Sequence, residues 1–200
     1  MLKTNVIVRN VKNLHDARYC AGMGVEYISM PISNELKNSL TIEQINEIAD
    51  WLSGIKIVGF VGETLIEDVS NYESEIIETS DFQKVKSYNS PILTLEITPD
   101  QLKNSSFKNI LEQVKSETSF FVLVCKGKFT DYDADLIKDL IEHYSIYWGF
   151  NFDPEDMLDF IDNFEPEGIA LNGTEEIKTG LNNFDDLADL LEALDTDEYV

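Results

Sequence analysis

Arg9 is one of only two arginines in a chain of 200 residues, and it ends an apolar run, Asn5-Val6-Ile7-Val8-Arg9. Alternation along an extended strand puts it on one face with Asn5 and Ile7. A guanidinium in that position has two uses. It can clamp an anion through its five fixed donors, or it can close an ion pair with a strand glutamate such as Glu78 or Glu96. Cys125 ends another apolar run, Phe120–Val124, where a thiol can exchange a proton or simply fill space as a small apolar group. Asn172-Gly173-Thr174 form a short polar turn after a further run; its backbone N–H groups can serve an anion, or it is an ordinary connection. Arg9, Cys125, Asn172, Gly173 and Thr174 are therefore the candidate ligand-binding set. Trp148, Phe150 and Phe152 lie close by in sequence and are expected to fill the core rather than stack on a ligand.

Other chemistry is poorly served. Cys20 and Cys125 match no metal spacing and read as reduced thiols; His15 and His143 are the only histidines, so no metal site is expected. The formal net charge is −23, with 8 basic and 15 acidic side chains in residues 1–100 and 7 and 23 in residues 101–200. After Lys138 the only basic residue is Lys178. Such a field repels phosphate backbones, so nucleic acid is an unsuitable partner, and the charge reads as a solubilising surface. No apolar run approaches the ~18 residues of a membrane helix, and the first ten residues carry no signal-peptide pattern. The expectation is a cytoplasmic protein, monomer or homodimer, with a small molecule as its possible ligand.

These residues sit in a regular alternation. Strand-like runs occur at Asn5–Arg9, Glu26–Met30, Ile55–Val61, Glu75–Glu78, Ile92–Ile97, Ser119–Cys125, Ser145–Phe150 and Gly168–Leu171. Between and after them lie amphipathic stretches at Leu14–Met23, Ile42–Leu52, Leu65–Tyr72, Phe82–Tyr88, Gln101–Val114, Ala134–His143, Pro154–Phe160 and Phe184–Leu194. Thr41, Asp153 and Asn183 stand where N-caps belong. The strands are nearly continuous in apolar residues, as in parallel sheets covered on both faces. Eight strand–helix units, with no glycine in the first turn Arg9–Asn13, favour a closed barrel over an open nucleotide-binding sheet. The predicted fold is α/β, a single (β/α)8 barrel over residues 1–200, with Asp195–Val200 as a frayed acidic tail.

The segment Val6–Ala17 resembles the opening of phosphoribosylanthranilate isomerases, a strand reading K-I-C-G-I-T followed by N-L-E-D-A; Asn13, Leu14, Asp16 and Ala17 match the second part. Gly24–Ile28 and Thr41–Ile48 are similar to the family's second strand and helix, and Val58-Gly59-Phe60-Val61 to its third strand. Asp153–Asp156 is similar to N-P-E-N, and Ile169–Asn183 to the region of the eighth strand. The resemblance spans essentially the whole chain in order. It implies an eightfold barrel, a relation to tryptophan biosynthesis, and an Amadori rearrangement that needs no cofactor.

The same resemblance implies losses. The family's catalytic base, a cysteine, falls on Arg9, which cannot accept a proton near neutral pH. The following glycine falls on Asn10, and the first-strand lysine on Ile7. The catalytic aspartate at the end of the sixth strand falls on Cys125-Lys126, with Asp131 matching a later loop position. The substrate-holding arginine falls near Asn38, beside Lys37. The seventh-strand phosphate loop becomes Gly149-Phe150-Asn151-Phe152, and the eighth becomes Asn172-Gly173-Thr174-Glu175-Glu176, which introduces Glu175 beside the expected dianion while Glu176 matches the family's glutamate. At an effective dielectric of 20 and ~4 Å, each added like charge costs about 4 kcal/mol. The expectation is a diverged barrel without isomerase activity that binds a small anionic or polar ligand at its mouth. A non-catalytic protein-interaction barrel, or an isomerase working through displaced residues, are the alternatives.

Overall fold

The computed structural model describes residues 1–66, 72, 74, 76–173, 176–178, 181–182 and 185–196, with backbone alone for 176–178 and 181–182. Eight parallel strands close into a barrel: β1 Asn5–Arg9, β2 Tyr27–Pro31, β3 Lys56–Gly62, β4 Ile76–Thr79, β5 Ile92–Ile97, β6 Phe120–Cys125, β7 Ile146–Gly149 and β8 Gly168–Asn172. Closure is made where β1 runs beside β8, from Asn5 opposite Gly168 to Arg9 opposite Asn172. The predicted (β/α)8 architecture is the one observed, and the strand limits agree within about two residues.

Helices α1 Leu14–Gly22 and α2 Ile42–Asp50 follow β1 and β2. Asn13 caps α1 through the Asp16 amide, and Thr41 with Gln44 forms a reciprocal capping box on α2. The connection from β4 to β5 is a 3-10 helix over Phe82–Ser87, not an α-helix. Its rise of about 2.0 Å per residue lets a short segment return the length of a strand. The helix expected over Gln101–Val114 is two, α3 Pro99–Leu102 and α4 Ser105–Val114, because Asn104 caps a new start through the Ser106 amide. α5 Ala134–His143 and α6 Pro154–Phe164 follow β6 and β7; Asp153 caps α6 and Pro154 opens it. After β8 comes a two-stranded antiparallel hairpin, β9 Glu176–Lys178 and β10 Leu181–Asn182, then α7 Asp185–Leu194. Most of the helix expected over Leu65–Tyr72 lies outside the described residues; Leu65, Ile66 and Tyr72 are not helical. The cap expected at Asn183 also lies outside them.

The strands bury both faces. Ile7, Tyr27, Val58, Ile92, Phe120, Val122, Tyr147 and Ala170 fill the barrel interior. Tyr147 stacks on Phe120 at 4.4 Å near the floor, and a Cβ on Gly168 would strike the Tyr147 ring, so this strand must start on glycine. The opposite parity packs against the helices in the larger outer core, where Trp148 lies fully buried. The expected frayed tail is partly tied down. The terminal ammonium reaches Asp195 at 3.0 Å, and the Thr196 amide donates to the Met1 carbonyl at 3.0 Å. Among the described residues, no helix is long and apolar enough to cross a membrane.

Candidate functional site

Strand alternation delivers Arg9, Ser29, Phe60, Glu78 and Thr94 to the C-terminal end of the barrel, where their side chains meet. Glu78 is completely buried, which for a carboxylate demands compensation. Its Oε1 accepts from Arg9 Nε at 2.8 Å and from the Thr94 hydroxyl at 2.6 Å, and its Oε2 accepts a short bond from the Ser29 hydroxyl. The Phe60 ring covers the guanidinium, with its centroid 5.4 Å from the guanidinium carbon. Four strands, β1, β2, β4 and β5, are thereby tied together across the mouth. Of the two partners open to Arg9 from the sequence, Glu78 is the one it takes. Glu96 instead lies 3.8 Å from Lys126, both largely exposed. Ser29 and Thr94 were not among the candidates, although a lone hydroxyl on the inward parity of an apolar strand is the trace they leave.

Arg9 uses only its Nε in this network. Its two Nη groups have no hydrogen-bond partner among the described residues, and the side chain lines a pocket of about 400 Å³. The pocket runs from Arg9 past the ends of β6, β7 and β8 to α7. Its wall includes Phe150, Asn151, Phe152, Asn172, Gly173, Asp186, Leu187 and Leu190.

Cys125 also borders this pocket, but its side chain follows the outward parity of Phe121 and Leu123 into the outer core. Burial pushes the thiol well above its ordinary range, and the thiol donates a weak bond to the Leu123 carbonyl at 3.7 Å. Cys20 is likewise buried, on the inner face of α1, its pKa raised to about 12 by desolvation and then by Asp16. Neither is a thiolate at neutral pH.

Gly173 is buried, and its N–H donates to the Arg9 carbonyl, extending the β1–β8 ladder. A Cβ there would stand 3.0 Å from both the Arg9 and Asn10 carbonyl oxygens, so the close approach requires glycine. Asn172 is exposed beside it; Thr174 and Glu175 lie outside the described residues. In the loop after β7, the Asn151 N–H donates to the Gly127 carbonyl at 3.1 Å and the Phe152 N–H to the Phe150 carbonyl at 2.9 Å. These donors are already engaged. Trp148 stacks on Phe150 at 5.9 Å with nearly parallel planes, and Phe150 and Phe152 both pack on Phe160. The aromatic group is thus anchored in the outer core, with the edges of Phe150 and Phe152 reaching the pocket.

Other positions singled out by the resemblance fall around the rim. Asn10 adopts a left-handed conformation at φ 62°, the conformation glycine favours and asparagine tolerates best among other residues. Asn38 does the same at φ 58°, with Lys37 exposed beside it. Asp131 accepts from the Lys128 amide at 2.9 Å. Lys128 pairs with Asp156 and Asp153, and the bond to Asp156 holds its ammonium above the ordinary lysine range. Among the described residues, no group of histidine, cysteine or carboxylate side chains could hold a metal ion.

No protein-family model matches the chain, and no curated protein does. Solved structures do match. A phosphoribosylanthranilate isomerase from Thermotoga maritima superimposes with a TM-score of 0.73 at 15% identity, covering 96% of this chain and 98% of that one. The isomerase from Thermus thermophilus gives 0.71 at 15% identity over the same shares, and that from Pyrococcus furiosus 0.68 at 10%. A phospho-2-dehydro-3-deoxyheptonate aldolase from Thermotoga maritima matches at 0.63, covering 68% of its chain. At these identities the likeness establishes the fold: a (β/α)8 barrel of the kind found in phosphoribosylanthranilate isomerases.

Proposed function

We propose that this chain is a diverged relative of the phosphoribosylanthranilate isomerases that does not catalyse the isomerisation and instead binds a small anionic or polar ligand at the barrel mouth. The observation that carries this reading is the Arg9–Glu78 network. Opening a ribose ring and moving its C2 proton requires a base and an acid within reach of substrate. At the end of β1 stands a guanidinium, which cannot take up a proton. At the end of β6 stands a thiol turned into the outer core. The N–H groups of Asn151, Phe152 and Gly173, in the loops where the resemblance puts the family's phosphate site, are engaged by carbonyls of the chain itself.

Binding has better support than catalysis. Arg9 presents unused donors to a pocket that falls within the usual ~300–1,000 Å³ range of ligand sites. Asn172 and Gly173 form its β8 edge, and Cys125 contributes to its wall without ionising. A cytoplasmic location and the absence of any cofactor requirement are parts of the same proposal.

Expression in a tryptophan auxotroph lacking the isomerase tests the loss of activity: no growth without tryptophan is expected, and growth overturns it. Thermal-shift screening of wild type and Arg9→Ala with small carboxylates tests the binding half. Loss of a charge-assisted contact costs about 1.5–3 kcal/mol, so hits should weaken roughly 10- to 150-fold in the variant. Hits that Arg9→Ala leaves unchanged remove Arg9 from the site.

A further inference from the structure

We infer that the ligand is a small unphosphorylated carboxylate with an apolar body, its carboxylate on the free edge of Arg9 and its body between the end of β7 and α7. This deepens the binding proposal above and rests on it. The pocket has two chemically different parts. At the barrel end, Arg9 keeps two Nη groups unpartnered among the described residues while Glu78 fixes its Nε, so the fork is held in place before any ligand arrives. A preorganised fork of that kind matches the two oxygens of a carboxylate. Beyond Arg9 the wall carries apolar surface from Phe150 and Phe152 after β7 and from Leu187 and Leu190 of α7, interspersed with Asn151, Asn172 and Asp186. Phe150, Phe152 and Leu190 are only half-buried, leaving apolar surface that a ligand would cover.

A phosphate dianion fits this site badly for two reasons. Among the described residues, the backbone N–H groups of Asn151, Phe152 and Gly173 along the β7 and β8 edges are taken by carbonyls of the chain. The charge of Arg9 is also already balanced by Glu78, and the Asp186 carboxylate stands on the same pocket wall. A single carboxylate asks less of the site electrostatically, and its apolar body supplies the remaining attraction.

Calorimetric titration of the full chain with straight-chain monocarboxylates from acetate to octanoate reads this directly. Inorganic phosphate, ribose 5-phosphate and hexanamide serve as comparison probes. Affinity should rise roughly three- to four-fold per added methylene until the pocket is full. Hexanamide should bind at least ~10-fold more weakly than hexanoate, and Leu190→Gln should flatten the chain-length gain while the fold melts as before. A flat series, or a gain that survives both Leu190→Gln and Arg9→Met, overturns the inference. Binding of ribose 5-phosphate or phosphate in preference to the carboxylates also overturns it but leaves a ligand-binding mouth standing. No binding by any probe overturns both.

Discussion

Replacing Arg9 by methionine removes the cation and keeps most of the volume of its stem. The residue left behind is Glu78, fully buried, with only the Ser29 and Thr94 hydroxyls still donating to it. Breaking a buried pair from one side costs about 3–5 kcal/mol, because the surviving charge keeps its desolvation penalty and loses its partner. For a protein of this size that corresponds to a fall in Tm of roughly 6–20 °C. The exposed pair Lys126–Glu96, 3.8 Å apart at the same end of the barrel, is the internal control. Breaking it through Lys126→Met should cost less than about 1 kcal/mol. The double variant Arg9→Met/Glu78→Gln removes both charges while leaving an amide for the two hydroxyls, and should recover at least half of the loss. Guanidinium chloride unfolding of the four proteins measures all of this. A loss below about 1 kcal/mol for Arg9→Met, or a double variant no better than the single, would show that the network does not hold the mouth together.

Three further outcomes follow from the structure. Both thiols are buried and held protonated, so a disulfide reagent at pH 8 should label neither Cys20 nor Cys125 in the native protein and both after denaturation; rapid native labelling of Cys125 would contradict its outward placement. Asp153 is held below the ordinary aspartate range, first by its cap bond to the Asp156 amide and then by Lys128. A depressed carboxyl stabilises the fold above its unfolded pKa of about 3.9, and that contribution is lost as pH falls through the folded value. Asp153→Asn keeps the cap but not the titration, so acid unfolding curves should show a shallower loss below about pH 4. Gly173→Ala should cost about 1–3 kcal/mol, since its Cβ would press on the Arg9 and Asn10 carbonyls, and an unchanged melting temperature would refute that packing.

The barrel was legible because its strands carry their own signature. Runs such as Ile55–Val61 and Phe120–Val124 are apolar on both parities, and only a sheet covered on both faces asks for that. The misread connections are those where a local bond decides. Asn104 restarts a helix inside one continuous amphipathic pattern, and Phe82–Ser87 winds as a 3-10 helix because the return to β5 is short. Neither the β9–β10 hairpin nor the tether between Met1 and Asp195 left any periodicity to read. In the mouth, parity put Arg9 on the face of Ile7, which is the barrel interior, and Glu78 was one of its possible partners. Parity could not supply Ser29 and Thr94, since which hydroxyls converge depends on the stagger between strands. Cys125 shows the opposite difficulty. A position at the end of a strand says nothing about which face the side chain takes unless the alternation is carried through to the last residue.

Purified protein incubated with phosphoribosylanthranilate, with formation of the aminoketose product followed by chromatography, tests the central claim most directly. The guanidinium at the end of β1, the buried thiol at the end of β6 and the engaged amides predict conversion at the uncatalysed rate, the same for wild type, Arg9→Met and Cys125→Ser. Enzymatic turnover by the wild type that either substitution abolishes would contradict the account.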